Sequence, residues 1–189
     1  MKNNLMIPIV CFVGLVAGCS QPSQLSQEPA SQQQQMVKQE VPQGFVPLTL
    51  TEENKTKIMA DAEKFGIQNI YVPLFVREGL TLQEISGSEQ TKQISLRFEN
   101  EQGDQTLEIS LSPQEVLLGG AVIQQQEIKL DNGTPAKWIS FSNHKENVEA
   151  AVAELYFQLN NTYVAVSNDS NQFEKEVQQI ASALQLLKK

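Results

Sequence analysis

The chain has 189 residues, and 22 acidic against 14 basic side chains give it a net charge of −8 at pH 7. This acidic balance argues against nucleic acid or anionic lipid as a direct partner, because both would repel the chain. The presence of only one histidine excludes a metal site built from several histidine ligands.

The first element is an apolar segment from Leu5 to Ala17, which follows the single charged residue Lys2. About 13 residues in a helix rise roughly 20 Å, which is less than the roughly 30 Å hydrocarbon core of a bilayer. Length and position therefore predict an export signal rather than a membrane span.

Two small residues, Ala17 and Gly18, stand directly before Cys19 at the end of the apolar segment. This pattern resembles the lipobox of bacterial lipoproteins. The resemblance implies that the bond after Gly18 is cleaved and that the Cys19 thiol carries a diacylglyceryl group. Two acyl chains, at about 0.8 kcal/mol per buried CH₂, suffice for lasting attachment to a membrane. The alternative is an ordinary secretory signal with an incidental cysteine.

These features predict three regions: a signal peptide over residues 1–18, a lipidated and disordered linker over 19–44, and one domain over 45–189. Cleavage would remove Cys11 and Lys2, so the mature chain would have a charge of −9 and no free thiol. The linker is rich in Gln, Ser, Pro and Glu and lacks the apolar residues that offset the entropy of ordering a chain.

The domain is predicted to begin and end with amphipathic helices. Thr49 or Thr51 caps the first helix and Gly66 ends it, and the apolar face of this helix is formed by Ile58, Ala62 and Phe65. The second helix carries an apolar stripe at spacings of four and three, namely Phe173, Val177, Ile180, Leu184 and Leu187.

Between the helices, alternating apolar and polar residues predict strands. Three hairpins turn near Gly103, at 131–133 and at 160–161, a bulge is expected near Ile85, and a short helical turn is expected from Ser112 to Leu118. The sequence thus predicts an α+β domain in which an antiparallel β-meander packs against both helices. Because the alternation is strict in the first hairpin, one face of the sheet should be apolar and the other wet.

The order of signals also resembles a bacterial extracytoplasmic domain family of unknown function, domain family 4367, which occurs in lipoproteins and at the outer ends of anti-sigma-factor-like membrane proteins. The matching segments are Val72-Pro73, 78–82 and 155–187, whereas Arg77 stands where family members often have a second proline. The resemblance implies the fold and a place outside the cytoplasm, and it carries no catalytic residues.

Candidate catalytic and metal-binding groups have simpler explanations. His144 lies in a polar loop, and Glu99, Glu101 and Asp104 lie at a hairpin tip, where side chains are usually solvated. The turn at 131–133 lacks the spaced acidic loop of a calcium site. We therefore expect no catalytic residue, metal or cofactor.

The candidate ligand surface consists of Trp138, Tyr156 and Tyr163, because amphipathic aromatic residues recur in binding surfaces. The alternative, sheet packing, is favoured because each lies within a predicted strand.

The sequence therefore predicts a non-catalytic binding module on the extracytoplasmic side of a bacterial cell membrane, whose partner is a protein or an envelope component. A carrier or sensor of an apolar ligand held between sheet and helix, beside Gly119-Gly120, is the alternative, and an enzyme is the third possibility.

Overall fold

The computed structural model describes residues 40–116, 121–142, 152–168 and 174–188. Cys19, Gly18, the whole predicted signal peptide, Gly119-Gly120 and His144 lie outside the described residues. The helices and strands, in chain order, are β1 (Phe45–Pro47), α1 (Glu52–Phe65), β2 (Tyr71–Pro73), β3 (Phe75–Arg77), β4 (Thr81–Ser88), β5 (Gln93–Glu99), β6 (Thr106–Ser112), β7 (Ala121–Lys129), β8 (Pro135–Ser142), β9 (Val152–Leu159), β10 (Thr162–Asn168), α2 (Glu174–Ser182) and β11 (Leu184–Leu186).

Antiparallel sheets dominate the described chain, which belongs to the α+β class as the sequence predicts. The main sheet has seven strands in the order β4-β5-β6-β10-β9-β8-β7. Two small sheets pair β1 with β3 and β11 with β2.

The main sheet departs from the predicted simple meander. It consists of two meanders, β4-β5-β6 and β7-β8-β9-β10, and their last strands, β6 and β10, pair side by side. The second meander therefore lies in the sheet in the reverse of its chain order. This arrangement places β4 and β7 at the edges and buries the backbone of β6 and β10 at the centre.

The three hairpins form where their turn residues predict them. They are β5-β6, β7-β8 and β9-β10, and each pairs in antiparallel register. Gly103 in the first turn has φ +70° and Asn160 in the third has φ +51°, conformations that glycine and asparagine tolerate best. The bulge predicted near Ile85 is confirmed, because the register of β4 with β5 shifts between Leu82 and Glu84.

Helix α1 begins and ends at predicted residues. The Thr51 hydroxyl, not that of Thr49, accepts a hydrogen bond from the Asn54 N–H at 3.1 Å, which satisfies one of the free donors of the first turn. Gly66 ends the helix with φ +76°, and its N–H donates back to Glu63 O at 3.2 Å.

Helix α2 is shorter than the apolar stripe predicts. It ends at Ser182, and Leu184 then lies opposite Pro73 in the β11-β2 ladder. The prediction that the helix runs to Leu187 is therefore wrong. The cause is competition for backbone hydrogen-bond partners. The final residues form hydrogen bonds with the backbone of β2 instead of continuing the helix, and the Leu187 N–H donates to Ile70 O at 2.8 Å.

The predicted helical turn from Ser112 to Leu118 lies partly outside the described residues. Its described part, residues 113–116, contains no helix.

The backbone hydrogen bonds of the described chain begin just before β1. The N–H of Glu78 donates to the carbonyl of Gly44 at 2.9 Å.

One face of the main sheet, the core face, is fully apolar at its centre. Ile94, Leu96 and Ile109 have no exposed surface, and they belong to the same buried cluster as Ile58 of α1 and Ile180 of α2. The opposite side, the second face, carries the cross-strand row Lys137, Tyr156, Ala165, Ser110 and Ser95.

The second face is less wet than the alternation predicts. Ile139, Phe141 and Tyr156 form a second buried cluster on it, and the rings of Phe141 and Tyr156 meet edge to face at 6.2 Å. Ser110, Ser112 and Glu154 on this face are also buried. The expectation of a sheet covered on one side only is therefore wrong for its central strands.

Gly87 on β4 offers a test of the contact between strand and helix. A Cβ atom there would lie 2.7 Å from Cε2 of Phe65, a ring that is itself buried. We expect Gly87→Val to lower the free energy of unfolding by about 1–3 kcal/mol, as overpacking typically does. Urea denaturation measures this change.

Ser86→Val is the matched control, because it adds the same strand-forming side chain at the next position, which points to the second face. If Gly87→Val were as stable as Ser86→Val, the close approach of Phe65 to β4 would be contradicted.

Candidate functional site

A cavity of about 420 Å³ opens on the second face of the sheet. Ligand pockets in proteins typically measure about 300–1,000 Å³, so this cavity is large enough for a small molecule. Neither α1 nor α2 is among the described elements that form its wall. The lining side chains come from strands β5 to β10 and from the segment after β6, and they include Gln93, Ser112, Val116, Tyr156, Tyr163 and Ala165.

The cavity exists because the register aligns small side chains beside a large one. Tyr156 lies opposite Ala165, Ala165 lies opposite Ser110, and Ser110 lies opposite Ser95. Side chains of neighbouring strands stand about 5 Å apart on one face, so a run of small ones leaves a depression next to the tyrosine ring. Ser110 lines the cavity, and its Oγ atom is hydrogen-bonded to that of Ser95 at 2.8 Å.

The segment after β6 forms one wall. The Ser112 hydroxyl donates to the carbonyl of Gln114 at 2.5 Å, and this bond turns the chain over the second face. Glu115 and Val116 then line the cavity. Glu115 is held by an ion pair, since its Oε1 lies 2.6 Å from Nζ of Lys137 on β8.

The structure separates the three residues of the candidate ligand surface. Tyr156 and Tyr163 both line the cavity. Trp138 lies opposite Leu155 on the core face, where its side chain is buried in the main cluster. The indole Nε1 of Trp138 has no hydrogen-bond partner among the described residues. Trp138 therefore has the packing role that the sequence offered as the alternative.

A smaller cavity of about 50 Å³ adjoins the first. The two share several lining residues, namely Gln93, Ser110, Val116, Tyr156 and Ala165. The smaller one also contacts Glu108, Glu154 and Ser167, which form the next cross-strand row of the second face. We call the two together the second-face site.

Glu154 is a buried charged residue of this site that sequence reasoning missed. Only 3% of its surface is exposed, and its Oε2 accepts a hydrogen bond from the Tyr156 hydroxyl. Burial raises the pKa of the Glu154 carboxyl above the ordinary value of 4.5, the hydrogen bond from Tyr156 opposes this rise, and the charge of Glu108 adds to it. The only sequence signal is its position, two residues before Tyr156 on the same face of β9.

The walls of the second-face site are acidic. Glu115 and Glu127 line the larger cavity, Glu108 and Glu154 line the smaller one, and Lys137 is the basic residue among the described lining. Since Lys137 is already paired with Glu115, the described walls carry an excess of negative charge. Such walls favour a cationic or neutral ligand over an anionic one.

The other acidic groups that the sequence singles out do not form a site. Glu99 accepts from Arg97 Nε at 2.6 Å, and Asp104 accepts from Asn100 Nδ2 at 2.6 Å, both at an exposed hairpin tip. The turn at 131–133 docks on the end of α2, where Asn132 Nδ2 donates to Ser182 O at 3.0 Å. Within the described ranges no group of three metal-ligating side chains occurs.

Comparison of the chain with protein-family models, with curated proteins and with solved structures finds no match. The lipobox and the domain-family resemblance therefore stay predictions from the sequence. Among the described helices, none is long and apolar enough to cross a membrane.

Glu154 makes the stability of the fold depend on pH. Between pH 4.5 and its raised pKa, the folded chain holds more protons at this site than the unfolded chain, so the free energy of unfolding falls as the pH rises. Above the raised pKa the full penalty of a buried charge remains. We expect Glu154→Gln, which is neutral, to melt at a higher temperature than the native chain near pH 7.5 and at a similar temperature near pH 4.

Thermal unfolding at the two pH values measures this effect. Glu101→Gln is the control, because it removes the same charge from the exposed hairpin tip and should shift the melting temperature little at either pH. Equal stability of Glu154→Gln and the native chain at both pH values would contradict the assigned burial of the Glu154 carboxylate.

Proposed function

We propose that this protein is a lipid-anchored, extracytoplasmic binding module of the bacterial cell envelope and that it acts without catalysis. The sequence carries the anchor, through Cys19 at the end of an apolar leader. The linker that follows gives the domain reach, since a flexible chain of about 25 residues has an end-to-end distance of about 25–30 Å. The expected location is the extracytoplasmic side of the cell membrane.

The observation that carries the binding role is the cavity of about 420 Å³ on the second face. Tyr156 and Tyr163 supply aromatic surface, and Ser112, Gln93 and Gln158 supply hydrogen-bonding groups along the same walls. A mostly apolar wall with a few polar groups is typical of small-molecule sites. This favours a ligand carrier or sensor over a module that binds only another protein.

The position of this cavity changes where the ligand is expected. The sequence-based alternative places an apolar ligand between the sheet and a helix. Ile58, Ile180 and Leu96 fill the core face as one buried cluster, whereas the cavity lies across the sheet from them. We therefore propose that α1 and α2 both cover the core face and that the ligand binds on the second face.

The anchor is tested by acylation. We expect Cys19→Ala to abolish the incorporation of radiolabelled palmitate and to release the protein from the membrane fraction, because the thiol is the site of diacylglyceryl transfer in the proposed lipobox. Cys11→Ala is the matched control and should leave both labelling and fractionation unchanged. Palmitate that remained on the Cys19→Ala protein would overturn the anchor.

The binding role is tested with a neutral apolar probe. We expect N-phenyl-1-naphthylamine to bind the full-length Cys19→Ala chain saturably, with about one site, and to gain fluorescence in the apolar cavity. Ala165→Trp places a large ring on the cavity floor between Tyr156 and Ser110 and should abolish this signal.

Thr81→Trp adds the same side chain at an exposed position of edge strand β4, outside the cavity lining, and should bind the probe as the native chain does. If the probe failed to bind, or if it bound Ala165→Trp with unchanged affinity, the second-face cavity would not be the binding site.

A further inference from the structure

We propose that the second-face site selects a small organic cation: a primary alkylammonium ligand whose ammonium group binds at Glu154 and whose alkyl body fills the larger cavity. This inference rests on the proposed binding function and names the ligand class of the same site. The fold alone does not require Glu154, so its placement calls for a separate explanation.

Glu154 is a buried carboxylate beside a neutral partner. Only 3% of the surface of this residue is exposed, and among the described residues its hydrogen-bond donor is the neutral Tyr156 hydroxyl. A buried carboxylate without a cation is unfavourable, because one hydroxyl replaces only part of its lost hydration. An ammonium group at this position would supply the missing counter-charge.

The walls around Glu154 are also negatively charged. Glu108 lies two strands away in the same cross-strand row, with Ser167 between them, and its charge raises the pKa of the Glu154 carboxyl. Glu115 and Glu127 line the larger cavity. An anionic ligand would meet all of these carboxylates, whereas a cation would be attracted by them.

The smaller cavity offers several hydrogen-bond acceptors to one ligand group. A primary ammonium group has three N–H donors and no acceptor. The smaller cavity presents the Glu154 and Glu108 carboxylates and the Ser167 and Ser110 hydroxyls, all of which can accept. A quaternary ammonium would leave these acceptors unused, and an alcohol would satisfy fewer of them without balancing the charge.

The second-face site has a small acidic part and a larger, mostly apolar part. The acidic cavity of about 50 Å³ is too small for more than a head group, and it adjoins the cavity of about 420 Å³ through shared walls. The larger cavity offers Val116, Ala165, Pro135 and the rings of Tyr156 and Tyr163 as apolar surface. A charged head with an apolar body matches this division.

The experiment is calorimetric titration of the full-length Cys19→Ala chain, which lacks the acyl groups that could themselves take up an apolar probe. The probes are n-octylamine, 1-octanol and octanoate, which have the same chain length and differ in head group. We expect octylamine to bind at least about ten-fold more tightly than octanol, as one charge-assisted hydrogen bond provides, and octanoate not to bind. Butylamine, with a shorter body, should bind more weakly than octylamine.

The variant Glu154→Gln should lose about ten-fold in octylamine affinity and keep its octanol affinity, because only the charged contact is removed. Since this variant is expected to be more stable near pH 7.5, a loss of binding cannot come from unfolding. Glu101→Gln, which removes one charge at the hairpin tip, should keep the octylamine affinity within about two-fold, because exposed charges are screened at this distance.

The outcomes distinguish this inference from the proposed function. Equal affinity for octylamine and octanol, or unchanged octylamine affinity in Glu154→Gln, would overturn the cation while leaving a ligand-binding cavity. If octylamine, octanol and the neutral fluorescent probe all failed to bind, the binding function itself would be overturned, and the inference with it.

Discussion

The pairing of β6 with β10 is the constraint on which the rest of the structure depends. It runs from Tyr163 opposite Ser112 to Asn168 opposite Leu107, and it joins the two meanders into one sheet. Because side chains alternate between faces, this register places Val164 and Val166 on the core face and Ala165 on the second face. A slip by one residue would expose the core valines and fill the cavity floor.

The same register explains why the two faces differ in packing. On the core face, large apolar side chains meet across every strand pair at the centre, and no exposed surface remains on Leu96, Ile109 or Val166. On the second face, the row continues from Tyr156 toward β5 through the small residues Ala165, Ser110 and Ser95. A sheet that is packed densely on one side and sparsely on the other can be stable and still offer a cavity, because the core face supplies most of the buried apolar area.

Local features of the fold could be predicted from the sequence, and the pairing of distant strands could not. The two-residue turn at 160–161 fixes Tyr156 and Tyr163 on one face, since it pairs Leu159 with Thr162 and Gln158 with Tyr163. Trp138 could not be placed in the same way, because nine residues separate β8 from β9 in the sequence, and a separation of that length does not set their register. The β6-β10 pair joins residues 51 to 61 positions apart and leaves no local signal.

The end of α2 and the burial of Glu154 were missed for related reasons. Leu184 and Leu187 fit a helical stripe, but the backbone of β2 needed partners that only the folded structure reveals. Glu154 occupies a polar position of an alternating strand, which ordinarily predicts a solvated side chain. Its burial follows from Tyr156, Ile139 and the walls around the second face, which come from strands of three different hairpins.

The cost of burying Glu154 and the selectivity of the second-face site have one physical origin. A carboxylate in water interacts weakly with any cation, because the solvent screens it. Removing that solvent raises the pKa of Glu154 and lowers the free energy of unfolding of the ligand-free protein at neutral pH. Removing the solvent also strengthens the interaction of Glu154 with a bound ammonium group. Deeper burial of Glu154 therefore lowers the stability of the ligand-free protein, and it increases the preference for a cation over a neutral ligand of equal shape. A residue that weakens the free protein can in this way increase the specificity of the complex, and the dense packing of the core face provides the stability that allows it.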